Sequence, residues 1–380
     1  MLSTQQHIFG AIYKAFSNLI SKLFMRIFGL TYEEVTWEKY MGNWHEPDSI
    51  PAGNDDELYE VFLEDGSNYN YDTVFTIENS KQKFGNPSIG QLCWLLRKIC
   101  QDIMKVRNKQ IIGYFAGSDI PSPGYRDIHN EDVRYIAGLL KDINKNVQSV
   151  DFILSSPGGF IEASKKITDM IRNRFEQLSF ILPGGTYSAA TAMTFAGDEI
   201  IMCSYANMSP INPRVNGIDT YLGKQYYRTY KRYATFAPWA LKHLNEAKIV
   251  ENNVTMKVLR GLEKNVYRVA YNHLATHLFK VKQKTLINQL KLMLKIKKIV
   301  KYFTNFKKHL SHNVPFSIKE LLEVGLPIKT ADCILDSQLM TINNICTEIV
   351  LTTWYNGGNK YDVRKIFFND KRCYTIKFYS

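Results

Sequence analysis

Ser149-Val150-Asp151-Phe152-Ile153-Leu154-Ser155-Ser156-Pro157-Gly158-Gly159 decides how this chain reads. It does so together with Ile181-Leu182-Pro183-Gly184-Gly185-Thr186-Tyr187-Ser188-Ala189-Ala190-Thr191, about thirty residues further on. An apolar strand ends in Pro-Gly-Gly and leads into a helical run. A second apolar strand then ends in a Gly-Gly turn, and a serine opens a small-residue helix. Gly158 and Gly159 have no Cβ, so their backbone can take φ > 0 and admit a substrate carbonyl closely. Their N–H groups can face the oxyanion of a tetrahedral intermediate. Ser188 is expected to cap the following helix, among free N–H donors at the positive end of its dipole. Either element alone reads equally well as a common turn or a common N-cap. Two of them in consecutive βα units make Ser188 a candidate nucleophile and the chain a candidate serine hydrolase.

The ordered motifs resemble the serine dehydrogenase proteinase family of the ClpP/crotonase superfamily. Members read His-Thr-Pro-Gly-Gly, Ser-Ala-Gly-Thr, Ala-Ala-Asp-Glu-Ile and Gly-Pro-Val-Asp-Pro-Gln. The counterparts here are Ser155 to Gly159, Ser188-Ala189-Ala190-Thr191, Ala196-Gly197-Asp198-Glu199-Ile200 and Ser209-Pro210-Ile211-Asn212-Pro213-Arg214. Leu310 to Phe316, with Glu323-Val324-Gly325-Leu326-Pro327, is similar to the family's Thr-His-Asp-Tyr-Pro-Ile and Leu-Gly-Leu-Pro. The resemblance covers roughly residues 105–330. It implies a ClpP/crotonase-like α/β core of parallel β-α units and a polypeptide substrate. It also implies a homo-oligomer, and an oxyanion hole from Gly158, Gly159 and the Ala189 N–H.

The chain departs from that pattern at three places. Ala190 replaces a glycine beside Ser188, and Asn212 replaces an aspartate. ClpP peptidases carry a histidine base near the position of Ile211, and none stands here. Signal peptide peptidases of the same superfamily use a Ser-Lys dyad, whose lysine must be neutral and therefore desolvated. Lys224, Lys231 and Lys242 follow Ser188 at plausible distances, and the sequence does not choose among them. His312 is another candidate base, since imidazole titrates near neutrality. Each of these side chains also has a plain alternative, as a solvated lysine or a histidine hydrogen-bonded in a turn.

A chain of 380 residues with 45% hydrophobic content can bury a substantial core. The six cysteines form no Cys-x-x-Cys pair, so neither a zinc site nor a disulfide framework is indicated, and buried free thiols are expected. No His-Glu-x-x-His occurs; no metal or cofactor is expected.

Three parts are anticipated. Residues 1–56 hold an N-terminal helix and linker, 57–335 the α/β domain, and 336–380 a small β-rich element. In the first, Ile8, Ile12, Phe16, Leu19, Leu23, Ile27 and Leu30 recur at helical spacing opposite Lys14, Ser17, Asn18, Ser21 and Lys22. Lys14, Lys22 and Arg26 make it a poor membrane span. It suits peripheral membrane contact or a partner helix, and equally a helix folded onto the body or into a subunit contact. Residues 44–56 read as a linker and 58–78 as a hairpin. Helices are expected at 88–106 and 131–143, and strands at 110–116, 149–155, 178–183 and 199–203.

Ten lysines and no acid lie between residues 280 and 308, in a chain whose formal net charge is +12. This basic amphipathic stretch can meet acidic lipid or nucleic-acid phosphate. A solvated helix face is the simpler account, and no aromatic stacking set favours nucleic acid. Cys346 to Trp354, Lys365 to Phe368 and Cys373 to Phe378 read as strands.

Three functions compete on these grounds. One is a cytoplasmic serine peptidase, peripheral at the inner membrane face if residues 8–30 attach it. Another is a degenerate ClpP-fold scaffold or sensor. The third is a basic membrane- or nucleic-acid-associated adaptor.

Overall fold

The computed structural model describes residues 30–36, 89–117, 126–215, 218–225, 228, 256–281, 285–351, 353–356 and 359–379. The expected N-terminal helix (apart from Leu30), the linker at 44–56 and the hairpin at 58–78 lie outside them. So do Lys231 and Lys242.

The strands are β1 (Leu30–Thr36), β2 (Gln110–Phe115), β3 (Ser149–Ser155), β4 (Gln177–Leu182), β5 (Glu199–Met202) and the short pair β6 (Arg214–Val215) and β7 (Ile218–Asp219). They continue with β8 (Ile328–Thr330), β9 (Thr353–Asn356), β10 (Asn359–Phe368) and β11 (Arg372–Tyr379). The main helices are α1 (Ile89–Arg107), α2 (Asp132–Lys141), α3 (Ile161–Arg174), α4 (Ala189–Thr194) and α5 (Met256–His273). After them come α6 (Leu286–Phe303), α7 (Phe306–His309), α8 (Ile318–Val324) and α9 (Cys333–Leu351).

One mixed sheet carries the order β1-β11-β10-β2-β3-β4-β5-β8, with β9 on β10. β2, β3, β4, β5 and β8 pair in parallel. Their continuous apolar runs are those of strands covered on both faces; Val150, Phe152, Leu154, Leu178, Phe180 and Leu182 are fully buried. The α/β core with mostly parallel strands is therefore present as expected.

The C-terminal region differs from expectation in one element. Cys346 to Trp354 is not a strand: Cys346 lies within α9, and only β9 at its end is extended. The β-branched run is ambiguous over so short a window. Leu335, Leu339, Ile342, Ile345, Cys346 and Ile349 instead bury one face at helical spacing. That face packs on α1 and β10. The last two expected strands form, and they join the main sheet: β10 runs antiparallel to β2, with Phe367 opposite Tyr114.

Charges gather at the start of the parallel strands. Arg107 donates to Asp151 and, at 3.0 Å, to Glu199; Lys109 reaches Ser179 at 2.7 Å and Glu199 at 3.1 Å. The Asp198-Glu199 pair of the quoted motif therefore fastens the sheet. Asp198 takes two hydrogen bonds from Arg172 at 2.9 and 3.0 Å and one from the Leu178 N–H at 2.8 Å. Chemistry is left to the opposite, carboxyl ends of the strands.

Five of the six cysteines are buried thiols, whereas Cys333, at the start of α9, is exposed. The Cys93 and Cys373 sulfurs lie 3.5 Å apart.

Candidate active site

Beyond the carboxyl ends of β3 and β4 the chain makes a row of single bridges. Ile128 pairs with Gly159, Ser156 with Thr186, Thr186 with Met208, and Met208 with Phe316. Three of the quoted motifs, with Met208 just before a fourth, therefore converge on one edge, although 160 residues separate the first bridged serine from Phe316 in the sequence, 156 to 316.

Ser188 stands at φ 55°, ψ −121°. These are the angles of the first central residue of a type II′ turn, a place that favours glycine. The Ala190 N–H donates to the Tyr187 carbonyl at 3.0 Å and closes that turn. The hydroxyl does not cap α4. Capping needs extended backbone at the N-cap, and Ser188 does not have it. Its N–H donates to Ser209 Oγ at 2.9 Å, and Ser209 Oγ donates in turn to the Pro210 carbonyl at 3.1 Å.

Gly158 lies against this turn with φ +95°. A methyl group there would stand 2.6 Å from Ser188 Cβ and 2.6 Å from the Tyr187 carbonyl oxygen. Glycine is thus required for the two strand ends to meet. The Gly158 N–H donates to Ser156 Oγ at 3.2 Å. Among the described residues, no hydrogen bond engages the N–H of Gly159 or of Ala189. These two donors flank Ser188 and Gly158.

Ile211 is buried, with its N–H donating to the Phe303 carbonyl at 2.9 Å, so the position of the ClpP histidine belongs to the core. Asn212 donates its amide to Asp219, and its Oδ1 is buried without a partner. An aspartate there would set two carboxylates together. His312 lies beside the Asn212 backbone. Burial, with Arg214 nearby, lowers its pKa to about 4, and its Nδ1 is a buried atom without a partner. Lys224 is tied to the Glu263 carboxylate at 2.6 Å and lines a cavity of about 300 Å³ with Asn212, Asp219 and Lys307.

The residues around the Pro-Gly-Gly turn were not singled out in the sequence. The Ile128 N–H donates to the Gly158 carbonyl at 2.7 Å, and the Phe160 N–H donates to the Ile128 carbonyl at 3.0 Å. Ser156 lies beside Tyr114, whose hydroxyl donates to Asp132 Oδ2 at 2.9 Å. Lys365 Nζ donates to both Asp132 oxygens and, at 2.6 Å, to the Asp127 carbonyl. Burial, helped by Asp132, pushes the Tyr114 phenol well above its ordinary range.

The profile of the ClpP-like SDH-type serine proteinases matches residues 95–342. The chain belongs to that family. Two relatives come from Methanocaldococcus jannaschii. Uncharacterized protein MJ1495 is 22% identical over 209 residues, covering 55% of this chain and 61% of that protein. Uncharacterized protein MJ0137 is 26% identical over 113 residues, covering 30% and 37%. The chain thus spans less than two thirds of either relative. Family membership fits the strand-end geometry around Ser188. The β10–β11 hairpin, with Lys365, falls outside the matched stretch.

Among the described residues, no group of three or more His, Cys, Asp or Glu side chains could hold a metal ion. No helix among them is long and apolar enough to cross a membrane.

Proposed function

We propose that the chain is a serine peptidase-like hydrolase acting on polypeptide, with Ser188 as nucleophile. The observation that carries this reading is the backbone of Ser188. A serine held at φ 55°, in a turn suited to glycine, is strained, and strain of this kind persists where a side chain must be presented. Gly159 and Ala189 supply the oxyanion donors, since their N–H groups are uncommitted and next to Ser188. Gly158 supplies the room, and its own N–H is held by Ser156. Attack by the Ser188 oxygen on a peptide carbonyl would move the charge onto an oxygen facing these donors.

The base is His312 or Lys231. His312 qualifies because burial keeps its imidazole neutral. Lys224 is set aside by its ion pair with Glu263. Labelling by a fluorophosphonate probe tests the reading. Covalent capture of wild type and none of Ser188→Ala is expected; an unlabelled wild type favours the scaffold alternative.

A second reading concerns the surface and rests on α6. Leu286, Ile287, Leu290, Met293 and Leu294 are exposed on its first half, among lysines. A subunit contact, as is usual among the family's oligomers, accounts for that stripe; anionic lipid is the competing partner. Light scattering with and without anionic vesicles separates them.

A further inference from the structure

We propose that the C-terminal hairpin positions the oxyanion turn, with Lys365 as its anchor and the loop at residues 127–132 as its link. The inference rests on the Ser188 reading and adds to it residues outside the family match.

The buried hydrogen bonds converge on Asp132. The Gly158 N–H donates to Ser156 Oγ. Ser156 lies beside Tyr114, Tyr114 donates to Asp132 Oδ2, and Lys365 donates to both Asp132 oxygens. Ser156, Asp132 and Lys365 are wholly buried, so water cannot replace a missing partner. Asp132 Oδ2 also accepts the His129 N–H at 2.8 Å, and Lys365 holds the Asp127 carbonyl. The loop 127–132 is thereby fixed from both sides. Its Ile128 is the residue that brackets Gly158 and Phe160 through backbone hydrogen bonds.

Lys365 reaches this place because β10 pairs with β2, whose Tyr114 stacks on Phe367 with ring centroids 4.7 Å apart. The hairpin therefore acts on the turn through a rigid route: strand, buried ion pair, the loop backbone at 127–132, and Ile128 against Gly158 and Phe160. Releasing the Gly158 amide would let the Gly159 N–H turn away from the oxyanion. Misplacement by an ångström can cost about a hundredfold in rate.

Tyr114→Phe removes one donor to Asp132 and Ser156→Ala releases the Gly158 amide, each at nearly constant volume. Lys365→Met breaks the end of the route; should it fail to fold, Lys365→Met with Asp132→Asn removes both charges together. The readouts are the rate of fluorophosphonate capture at Ser188, the thermal midpoint, and hydrogen exchange of residues 156–160. The expected result is capture slowed by about tenfold or more, faster exchange confined to that turn, and a midpoint near wild type for Tyr114→Phe. Wild-type capture rates in Ser156→Ala and in the Lys365→Met, Asp132→Asn double variant would overturn the proposal, whatever the exchange shows. If wild type itself is not captured, the hydrolase reading fails. Exchange then decides: protection lost at 156–160 upholds positioning by the hairpin, and unchanged protection ends it.

Discussion

Lys365 Nζ lies 3.0 and 2.9 Å from the two carboxylate oxygens of Asp132, and neither side chain meets solvent. The pair joins the last hairpin to the first helix after β2. Removing one partner leaves an uncompensated buried charge. Lys365→Met should lower the unfolding free energy by roughly 3–5 kcal/mol, and adding Asp132→Asn should restore much of it. Urea denaturation of the single and double variants measures this. A single variant as stable as wild type would mean that the carboxylate finds another cation.

Ser188→Gly should separate stability from activity. Glycine takes φ 55° without the strain that serine bears. The variant should melt higher than wild type and show no fluorophosphonate capture, a trade expected where strain serves presentation. A lower midpoint than wild type would show that the serine backbone is not strained.

Gly158→Ala should do harm in both respects. Its methyl group meets Ser188 Cβ and the Tyr187 carbonyl oxygen, each at 2.6 Å, and its φ of +95° is unfavourable for alanine. A loss of about 1–3 kcal/mol from backbone strain alone is expected, together with loss of capture at Ser188. Thermal melting and labelling of the same preparation report both.

Acid should weaken the fold in two stages. Burial lowers the pKa of His129, His277 and His312 to about 4 each, with Lys365, Arg172 and Arg214 respectively adding to it. The unfolded chain binds these protons from about pH 6.5 downward, so stability falls as pH drops from there toward 4. Asp198 and Glu199 follow. Burial opposes their ionisation, but hydrogen bonds from Arg172 and Lys280 bring Asp198 to about 2, and those from Lys329, Ser179 and Lys109 hold Glu199 lower still. Their contribution is present above the ordinary carboxylate range and is lost below it. Urea midpoints at pH 7, 5.5 and 4 should decline stepwise; a flat profile from 7 to 5.5 would mean that the histidines charge without cost.

The pH dependence of capture should identify the base. With His312, the rate should hold down to about pH 4, where its imidazole protonates. With Lys231, activity should rise through neutral or alkaline pH as the amine loses its proton. His312→Gln and Lys231→Met complete the comparison.

The strand ends were legible in the sequence because Pro157-Gly158-Gly159 and Gly184-Gly185 close short, mainly apolar runs, a pattern consistent with buried parallel strands. Their meeting was legible from the repeated βα order. The strain at Ser188 was not, since a serine before Ala189-Ala190 looks like an ordinary cap. α9 was misread from Cys346 onward because β-branched residues suit a strand locally, while burial against α1 and β10 is a tertiary matter. β1 and the route through Asp132 and Lys365 depend on pairings between distant segments, which no local window contains.

The order of the chain gives the C-terminal hairpin a temporal meaning. β2 to β5 and Ser188 leave the ribosome well before β10. Until Lys365 emerges, Asp132 has no cation and the Pro-Gly-Gly turn has no anchor behind it. A chain without β10 therefore keeps Ser188 and its turn but loses the cation of Asp132, so cutting before Asn359 separates the matched stretch from its buried anchor.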